Sequence, residues 1–241
     1  MGYHAPKRQH RSLAMHVSEH DRSTPATSVT IAFIDLAGFS AITDIYGDEA
    51  ALALLTTFEA LVHDAIEGHA PPVKWMGDEV MLVFPDPMTA LGALGRLLSA
   101  CRQQPRLPLT RVAVHHGPVL QRAGDFFGST VNIAARVASL AGPGQLLATE
   151  AIAKMAEEEG ISMRALGPTA IRSLPAPLAL YELYLAPAPD PAWIDPVCKM
   201  LAPFAPFGRD APDQPWFCSA QCAAAFARSP WAYPLPSVAR D

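Results

Sequence analysis

The chain has 241 residues, of which 50% are hydrophobic, so it is long enough for one substantial folded domain and a smaller one. Its formal net charge of -5 gives no electrostatic reason to expect binding to nucleic acid or to an anionic membrane. Its apolar runs fall well short of the roughly 20 residues that cross a bilayer, and no signal peptide opens the sequence. We therefore expect a cytoplasmic protein with no nucleic-acid or membrane partner.

The first half of the chain predicts a disordered tail, a strand, a helix and a hairpin. Residues 1–27 are rich in His, Arg and Ser without periodicity, which is typical of a disordered tail. Val29–Leu36 is an apolar run bounded by turn formers, which indicates a buried strand. Helical spacing of apolar residues predicts one helix from about Phe39 to Glu67. The next segment, Val73–Phe84, has two apolar runs around Gly-Asp, which indicates a β-hairpin.

The following segments continue this alternation of helices and strands. We predict a helix at Pro87–Arg102, a strand at Arg111–Leu120, a helix at Gly128–Ala141, and closing strands at 145–149 and 178–185. The order β α β β α β, followed by a helix and strands, predicts an α+β fold, a ferredoxin-like or palm-like sandwich with helices covering a mixed sheet. This predicted domain covers residues 28–186. A proline-rich linker at 187–192 separates it from a small cysteine-containing module at 193–235.

Two aspartates stand at positions suited to metal-dependent phosphate chemistry. Asp35 ends the first predicted strand, just before Gly38 and the start of a helix, and Asp78 lies at the tip of the hairpin. A carboxylate beside the free backbone N–H groups of a helix start suits a cation that bridges phosphates. Two carboxylates from neighbouring strands can hold two divalent ions about 4 Å apart, which activate a hydroxyl and neutralise a leaving phosphate.

Four segments together resemble the catalytic domain of class III nucleotidyl cyclases: FIDLAGFSAIT, VKWMGDEVMLVF, RVAVHHGPV and DFFGSTVNIAARV. The resemblance covers about residues 28–186 and implies a homodimer, in which two protomers pair head to tail and each active site lies between them. It also implies that Asp35 and Asp78 bind two Mg²⁺ or Mn²⁺ ions in each site. The remaining implied site residues are Lys74 and Asp125 at the adenine edge, and Asn132 and Arg136 at the ribose and the reacting phosphate.

The chemistry of these side chains agrees with ATP as the substrate. Adenine offers a donor at N6 and an acceptor at N1, which a carboxylate such as Asp125 and an ammonium such as Lys74 satisfy; guanine inverts that pattern. Asn132 and Arg136 are four residues apart and so share one face of a helix. The resemblance thus implies an adenylate cyclase that converts ATP to 3',5'-cyclic AMP and pyrophosphate.

Some neighbouring residues have no role in this pattern. His115 and His116 at a strand end, and Glu79 in the hairpin, are interpreted as structural residues. The segment between Val119 and Asp125 is shorter than in many members of the family, in which a longer excursion forms a dimerisation arm. The strength of the dimer is therefore left open.

Three cysteines are grouped in the C-terminal segment, which indicates metal binding in a reducing compartment. The motifs DPVCKM, WFCSAQCAAAF and SPWAY resemble the YHS domain, a small metal-associated module. Cys218 and Cys222 lie one helical turn apart, and with Cys198 they suit zinc or Cu⁺. Cys101 stands apart from them and is interpreted as an inert buried thiol.

The C-terminal segment departs from the YHS pattern at two points. The family usually has Gly where Lys199 stands, and no histidine follows His116 to act as a fourth ligand. Copper with three thiolates, or zinc with water or Asp195 in addition, both remain open. If the segment binds a metal, the linker places a metal-responsive regulatory module beside a cyclase.

Two other functions stay open at this point. The stretches FIDLAGFSAITDIYGD and GDEVMLVF also echo the signatures of diguanylate cyclases, although the VNIAAR helix argues against that family. An inactive protein that senses nucleotide or metal is the third possibility, and the six intact site positions argue against it.

Overall fold

A computed structural model describes residues 27–104, 106–172, 174–201 and 214–235. The predicted disordered tail therefore lies outside the described residues, apart from Thr27. The helices and strands, in chain order, are β1 (Thr27–Leu36), α1 (Phe39–Tyr46), α2 (Asp48–Ala65), β2 (Lys74–Met76), β3 (Glu79–Phe84), α3 (Pro87–Gln103), β4 (Thr110–Arg122), β5 (Asp125–Phe127), α4 (Ser129–Ala138), β6 (Leu146–Thr149), α5 (Glu150–Glu158), β7 (Met163–Thr169), β8 (Leu178–Leu183) and α6 (Ala220–Arg228). Short 3₁₀ turns lie at Pro191–Trp193 and Pro230–Ala232.

The strands form one mixed sheet in the order β2-β3-β1-β4-β6-β8-β7, and β5 pairs with β4 beside it. Only the pairing of β4 with β6 is parallel among the described strands, because a helix connection separates the two. Strand β1 lies between β3 and β4 and is antiparallel to both. The predicted α+β fold with a mixed sheet is confirmed.

Both faces of the sheet are covered by helices. Ala32 and Ile34 of β1 point into a core built with α2, α3 and α5. Ile31 and Phe33 point to the opposite face, where α4 packs. Large apolar side chains buried in this way contribute roughly 1.5–3 kcal/mol each. Since side chains alternate along a strand, Asp35 lies on the α4 face, two residues after Phe33.

The helix predicted from Phe39 to Glu67 is wrong as a single element, because it is divided into α1 and α2 at Gly47. Gly47 has φ 84° and ψ 169°, a backbone conformation that is essentially restricted to glycine. Its N–H donates to Thr43 O at 2.9 Å, which closes the first helix. The apolar periodicity continues across the break, so it did not reveal the change of direction.

The later elements agree with the predictions in part. The hairpin and the helix that follows it lie within a few residues of their predicted bounds. Strand β5, helix α5 and strand β7 were not predicted; each is short, with 3, 9 and 7 residues.

The C-terminal segment packs against α1. Ile42 of that helix shares a buried cluster with Val197, Cys198 and Phe217. A backbone hydrogen bond of 3.0 Å joins Leu109 N to the carbonyl of Lys199. Among the described residues, no helix combines the length and the apolar character needed to cross a bilayer.

The break at Gly47 gives a first prediction. Gly47→Ala should lower the free energy of unfolding by about 1–3 kcal/mol, because alanine is strained at this φ and ψ even though no atom lies within 4 Å of the added Cβ. The matched control is Gly95→Ala within α3, where the added Cβ also meets nothing within 4 Å and helix propensity favours alanine by up to about 1 kcal/mol. Urea unfolding of both variants measures the difference. Equal stability of the two would contradict the assigned break.

Candidate active site

Asp35 lies at the end of the central strand, between an acidic and a basic neighbour. It is opposite Glu79 on β3 and opposite Arg111 on β4. The Arg111 guanidinium pairs with Asp35 Oδ2, while Oδ1 is buried without a hydrogen-bond partner among the described residues. One carboxylate oxygen is therefore neutralised and the other is left for a further ligand.

Burial and neighbouring carboxylates raise the pKa values of two carboxyl groups at this end of the sheet, those of Asp35 and Glu79. Burial raises the pKa of Asp35 to about 7; Arg111 opposes the rise, and the neighbouring Asp78 adds to it. Burial, followed by the charge of Asp78, also raises the pKa of Glu79. Negative charge is costly in this position without a cation beside it, and a divalent ion would relieve that cost. The donor set, aspartate oxygens with one unpaired, fits a hard cation such as Mg²⁺ or Mn²⁺.

Lys74 and Asp125 form an ion pair on the two hairpins. Lys74 Nζ lies 3.0 Å from each carboxylate oxygen of Asp125. The two-residue turn before Asp125, made by Ala123 and Gly124, has φ values of 52° and 81°, as expected in a tight hairpin. Hydrogen bonds from Lys74 and from the Phe126 N–H lower the pKa of Asp125. The pair is one-third exposed and offers a cation and an anion side by side to a ligand.

Asn132 and Arg136 lie one helical turn apart on α4, which starts directly after the Asp125 hairpin. The helix is fixed on the sheet by its buried residues Thr130, Ala134 and Val137. Asn132 is exposed and Arg136 is half-buried. The structure thus brings the six predicted site residues into three groups: Asp35 with Asp78, Lys74 with Asp125, and Asn132 with Arg136.

Comparison with known proteins decides the family. Residues 22–184 match the family described as the adenylate and guanylate cyclase catalytic domain. The chain belongs to this family. The cyclase domain therefore contains all the elements from β1 to β8 described above.

Relatives and solved structures agree with this assignment. A protein named pH-sensitive adenylate cyclase from Mycobacterium tuberculosis is 34% identical over 165 residues, which is 66% of this chain and 41% of that protein. An adenylate cyclase from Streptomyces griseus is 37% identical over 125 residues, 52% of this chain and 31% of that protein. The chain thus spans less than half the length of these relatives. A structure of monomeric adenylate cyclases from Trypanosoma brucei has a TM-score of 0.63 and 22% identity, and covers 70% of this chain and 94% of its own.

Two histidines of the cyclase domain form hydrogen bonds with threonine hydroxyls. His115 Nδ1 lies 2.7 Å from Thr149 Oγ1, and His116 Nδ1 lies 2.9 Å from Thr30 Oγ1. Burial lowers the pKa of His115 to about 4, so this ring is neutral at neutral pH. These contacts agree with the structural interpretation of both residues.

Arg111 is a site residue that the sequence did not reveal. It opens the strand RVAVHHGPV, and its proximity to Asp35 depends on the register between β1 and β4. Glu79, interpreted as a hairpin residue, also borders the site through its position opposite Asp35. The available signal was a charged residue directly before the apolar run Val112–Val114, but a charge near a strand end is usually solvated.

The cysteines of the C-terminal segment converge with Asp195 into a second candidate site. The ligand atoms of Asp195, Cys198, Cys218 and Cys222 all lie within 4.8 Å of one another. The Sγ atoms of Cys198 and Cys218 are 3.4 Å apart, and those of Cys218 and Cys222 are 3.6 Å apart. Tetrahedral zinc with bonds of about 2.3 Å would require about 3.8 Å between sulfurs, so little movement is needed. We call these four residues the thiolate cluster.

Asp195 shapes the thiolate cluster through its backbone contacts. Its Oδ1 accepts hydrogen bonds from the N–H groups of Val197 at 2.7 Å and Cys198 at 3.3 Å, and its Oδ2 accepts from Cys218 N–H at 2.7 Å. The buried carboxylate therefore joins the two cysteine-bearing stretches. Lys199, next to Cys198, has φ 57°, a left-handed conformation that residues other than glycine seldom adopt.

Proposed function

We propose that the chain is an adenylate cyclase that converts ATP to 3',5'-cyclic AMP and pyrophosphate at the interface of a homodimer. The observation that carries this proposal is the ion pair of Lys74 with Asp125, at 3.0 Å, within a cyclase family domain. An ammonium and a carboxylate side by side match the N1 acceptor and the N6 donor of adenine. Guanine would place its N1–H donor against the Lys74 ammonium and its O6 acceptor against the Asp125 carboxylate, so neither hydrogen bond could form.

Asp35 and Asp78 are the residues proposed to hold two Mg²⁺ or Mn²⁺ ions. The unpaired, buried Oδ1 of Asp35 supports this assignment, because a buried carboxylate oxygen needs a cation or a donor. When bound, the ions would activate the ribose 3'-hydroxyl and neutralise the leaving pyrophosphate. Arg111 keeps the Asp35 carboxylate oriented along the sheet. No covalent intermediate with the protein is required.

Asn132 and Arg136 are proposed to orient the ribose and to stabilise charge on the reacting phosphate. A guanidinium can bind phosphate oxygens in a bidentate manner, and its place one turn after Asn132 lets one helix face serve both groups. In the proposed dimer, Asp35 and Asp78 of one protomer meet Lys74, Asp125, Asn132 and Arg136 of the other. Neither protomer would then be active alone.

The alternatives kept open by the sequence are now less favoured. The match to the adenylate and guanylate cyclase family, and relatives named adenylate cyclase, support this activity over a diguanylate cyclase. The Lys74–Asp125 pairing supports a functional nucleotide site over an inactive domain. Product analysis separates all three.

The proposed activity predicts cyclic AMP from purified protein with ATP and Mn²⁺ or Mg²⁺. Asp35→Asn and Asp78→Asn should each lower kcat by at least about 100-fold, because each weakens binding of the ions that would neutralise the reacting phosphates. Chromatography of the nucleotide products measures the effect, and Asp64→Asn on the exposed side of α2 is the control. Cyclic di-GMP from GTP, or no cyclic nucleotide at all, would contradict the proposal.

The proposed shared site is tested by subunit mixing within the same assay. Asp35→Asn and Arg136→Ala protomers should each be inactive, and an exchanged equal mixture should recover about a quarter of wild-type activity. Half of a random mixture is heterodimer, and each heterodimer has one intact site of two. A mixture that demonstrably exchanges subunits and stays inactive would rule out this geometry.

The ion pair of Lys74 and Asp125, which is proposed to bind adenine, gives a prediction on substrate specificity. In Lys74→Glu/Asp125→Asn, the ratio of kcat/KM for ATP to that for GTP should fall by about 100-fold or more, since a carboxylate acceptor and an amide donor would then match guanine. The matched control is Lys154→Glu/Glu150→Gln, which alters an exposed ion pair of 2.9 Å on α5 and should leave the ratio unchanged. An unchanged ratio in the Lys74/Asp125 variant would remove the pair from substrate recognition.

For the C-terminal segment we propose a YHS-like module that binds zinc or Cu⁺ in the thiolate cluster and regulates the cyclase domain. The convergence of three thiols with Asp195 supports this. Hydrogen bonding with the neighbouring Cys198 and Cys222 thiols lowers the pKa of the Cys218 thiol, which favours the thiolate form that binds a metal. The division of the chain into two domains at the linker is part of this proposal.

Metal analysis of the full chain tests the proposed cluster. Under reducing conditions, wild-type protein loaded with zinc or Cu⁺ and freed of excess metal should retain about one ion for each chain. Cys218→Ser and Cys222→Ser should lose it, because both remove a thiolate ligand. Cys101→Ser is the matched control, since Cys101 is a buried thiol in the core between α3 and the sheet. Retention of the ion in both cluster variants would contradict the site.

A further inference from the structure

Tyr46, the last residue of α1, brings the cyclase domain into contact with the thiolate cluster. Its hydroxyl lies 3.3 Å from Cys222 Sγ, 3.5 Å from Cys218 Sγ and 2.5 Å from Ser219 Oγ. Ser219 Oγ accepts a hydrogen bond from Cys222 N–H at 3.1 Å. The Ser219 hydroxyl can then donate a hydrogen bond to the tyrosine oxygen. The tyrosine hydroxyl is left to donate to a cysteine sulfur.

A bound ion would fix the direction of this contact. A thiol can donate or accept a hydrogen bond, whereas a metal-bound thiolate only accepts. With an ion in the cluster, Tyr46 is therefore the donor and a cysteine sulfur the acceptor. Donors of this kind to metal ligands strengthen metal binding and hold the ligands in place.

The other end of α1 also touches the C-terminal segment. A Cβ on Gly38 would lie 3.1 Å from the carbonyl carbon and oxygen of Cys198, so the two backbones are in close contact. Ala37 N donates to Leu109 O at 2.8 Å, and Leu109 N donates to Lys199 O at 3.0 Å. Residues 37–38 are thus linked to Cys198 and Lys199, within three residues of Asp35.

We propose that Tyr46 and α1 couple metal occupancy of the thiolate cluster to the Asp35 end of β1. Tyr46 is a positioning residue here: its hydrogen bond favours the bound ion, and the bound ion in return holds α1 and residues 36–38 in place. The inference rests on the proposed metal binding by the cluster. Because coupling between two sites is reciprocal, ions at Asp35 and an ion in the cluster favour one another's binding.

Hydrogen exchange of the full reduced chain tests the coupling without an activity assay. Loading with one equivalent of zinc, and separately of Cu⁺, should slow exchange of the α1 amides by about fivefold or more, while α5 stays unchanged as an internal control. In Tyr46→Phe the slowing should be lost, and zinc affinity, measured by competition with a chromophoric chelator, should fall about tenfold. Tyr233→Phe is the matched control, because Tyr233, like Tyr46, packs against the buried apolar cluster of Ile42, Val197 and Phe217.

The outcomes separate the coupling from the metal site itself. A wild-type chain that binds neither metal overturns both the proposed site and the coupling. A chain that binds metal with no change in α1 exchange overturns the coupling alone, and this measurement needs no variant. Tyr46→Phe that matches wild type in both zinc affinity and α1 protection overturns the role of the tyrosine.

Discussion

A carboxylate at the end of a buried central strand constrains the residues around it. Asp35 lies where β1 meets α1, and removing a carboxylate from water is costly unless it is paired. The sheet register supplies Arg111 on one side, but it also brings Glu79 and the adjacent Asp78 to the other. The arginine neutralises one oxygen and leaves the second unpaired. The second oxygen is therefore available to a further ligand, which is compatible with the proposed metal site.

The parts of the site that could be predicted from the sequence are those defined by local patterns. Two apolar runs around Gly-Asp predict the hairpin that carries Lys74 and Asp78, and the structure has that hairpin. The pairing of Lys74 with Asp125 depends on a second tight turn, whose first residue is Ala123 with φ 52°. The dipeptide Gly124-Asp125 marks a turn, but a turn signal alone does not show that the Asp125 side chain meets Lys74. Only the family pattern placed Asp125 in the site.

The parts that could not be predicted depend on contacts between distant segments. Arg111 reaches Asp35 across 76 residues of sequence, and Tyr46 reaches Cys218 across 172. Side-chain periodicity carries no information on such pairs. It indicates which face of a helix or strand is buried, but not which other segment packs against that face. The break at Gly47 was missed for a related reason: a glycine inside a helical pattern costs only about 1 kcal/mol, so the pattern alone does not distinguish continuation from a turn.

Helix α1 lies between the two candidate sites, with Asp35 just before its start and Tyr46 at its end beside the cysteines. Its eight residues are too few for an isolated helix, so it depends on the surfaces that it contacts. Its buried residue, Ile42, lies in a cluster with the C-terminal residues Val197 and Phe217. At its start, Gly38 has φ 77° and no room for a Cβ against Cys198, so glycine is needed there for both backbone conformation and close packing. The C-terminal segment thus packs directly against the start of α1, three residues after Asp35.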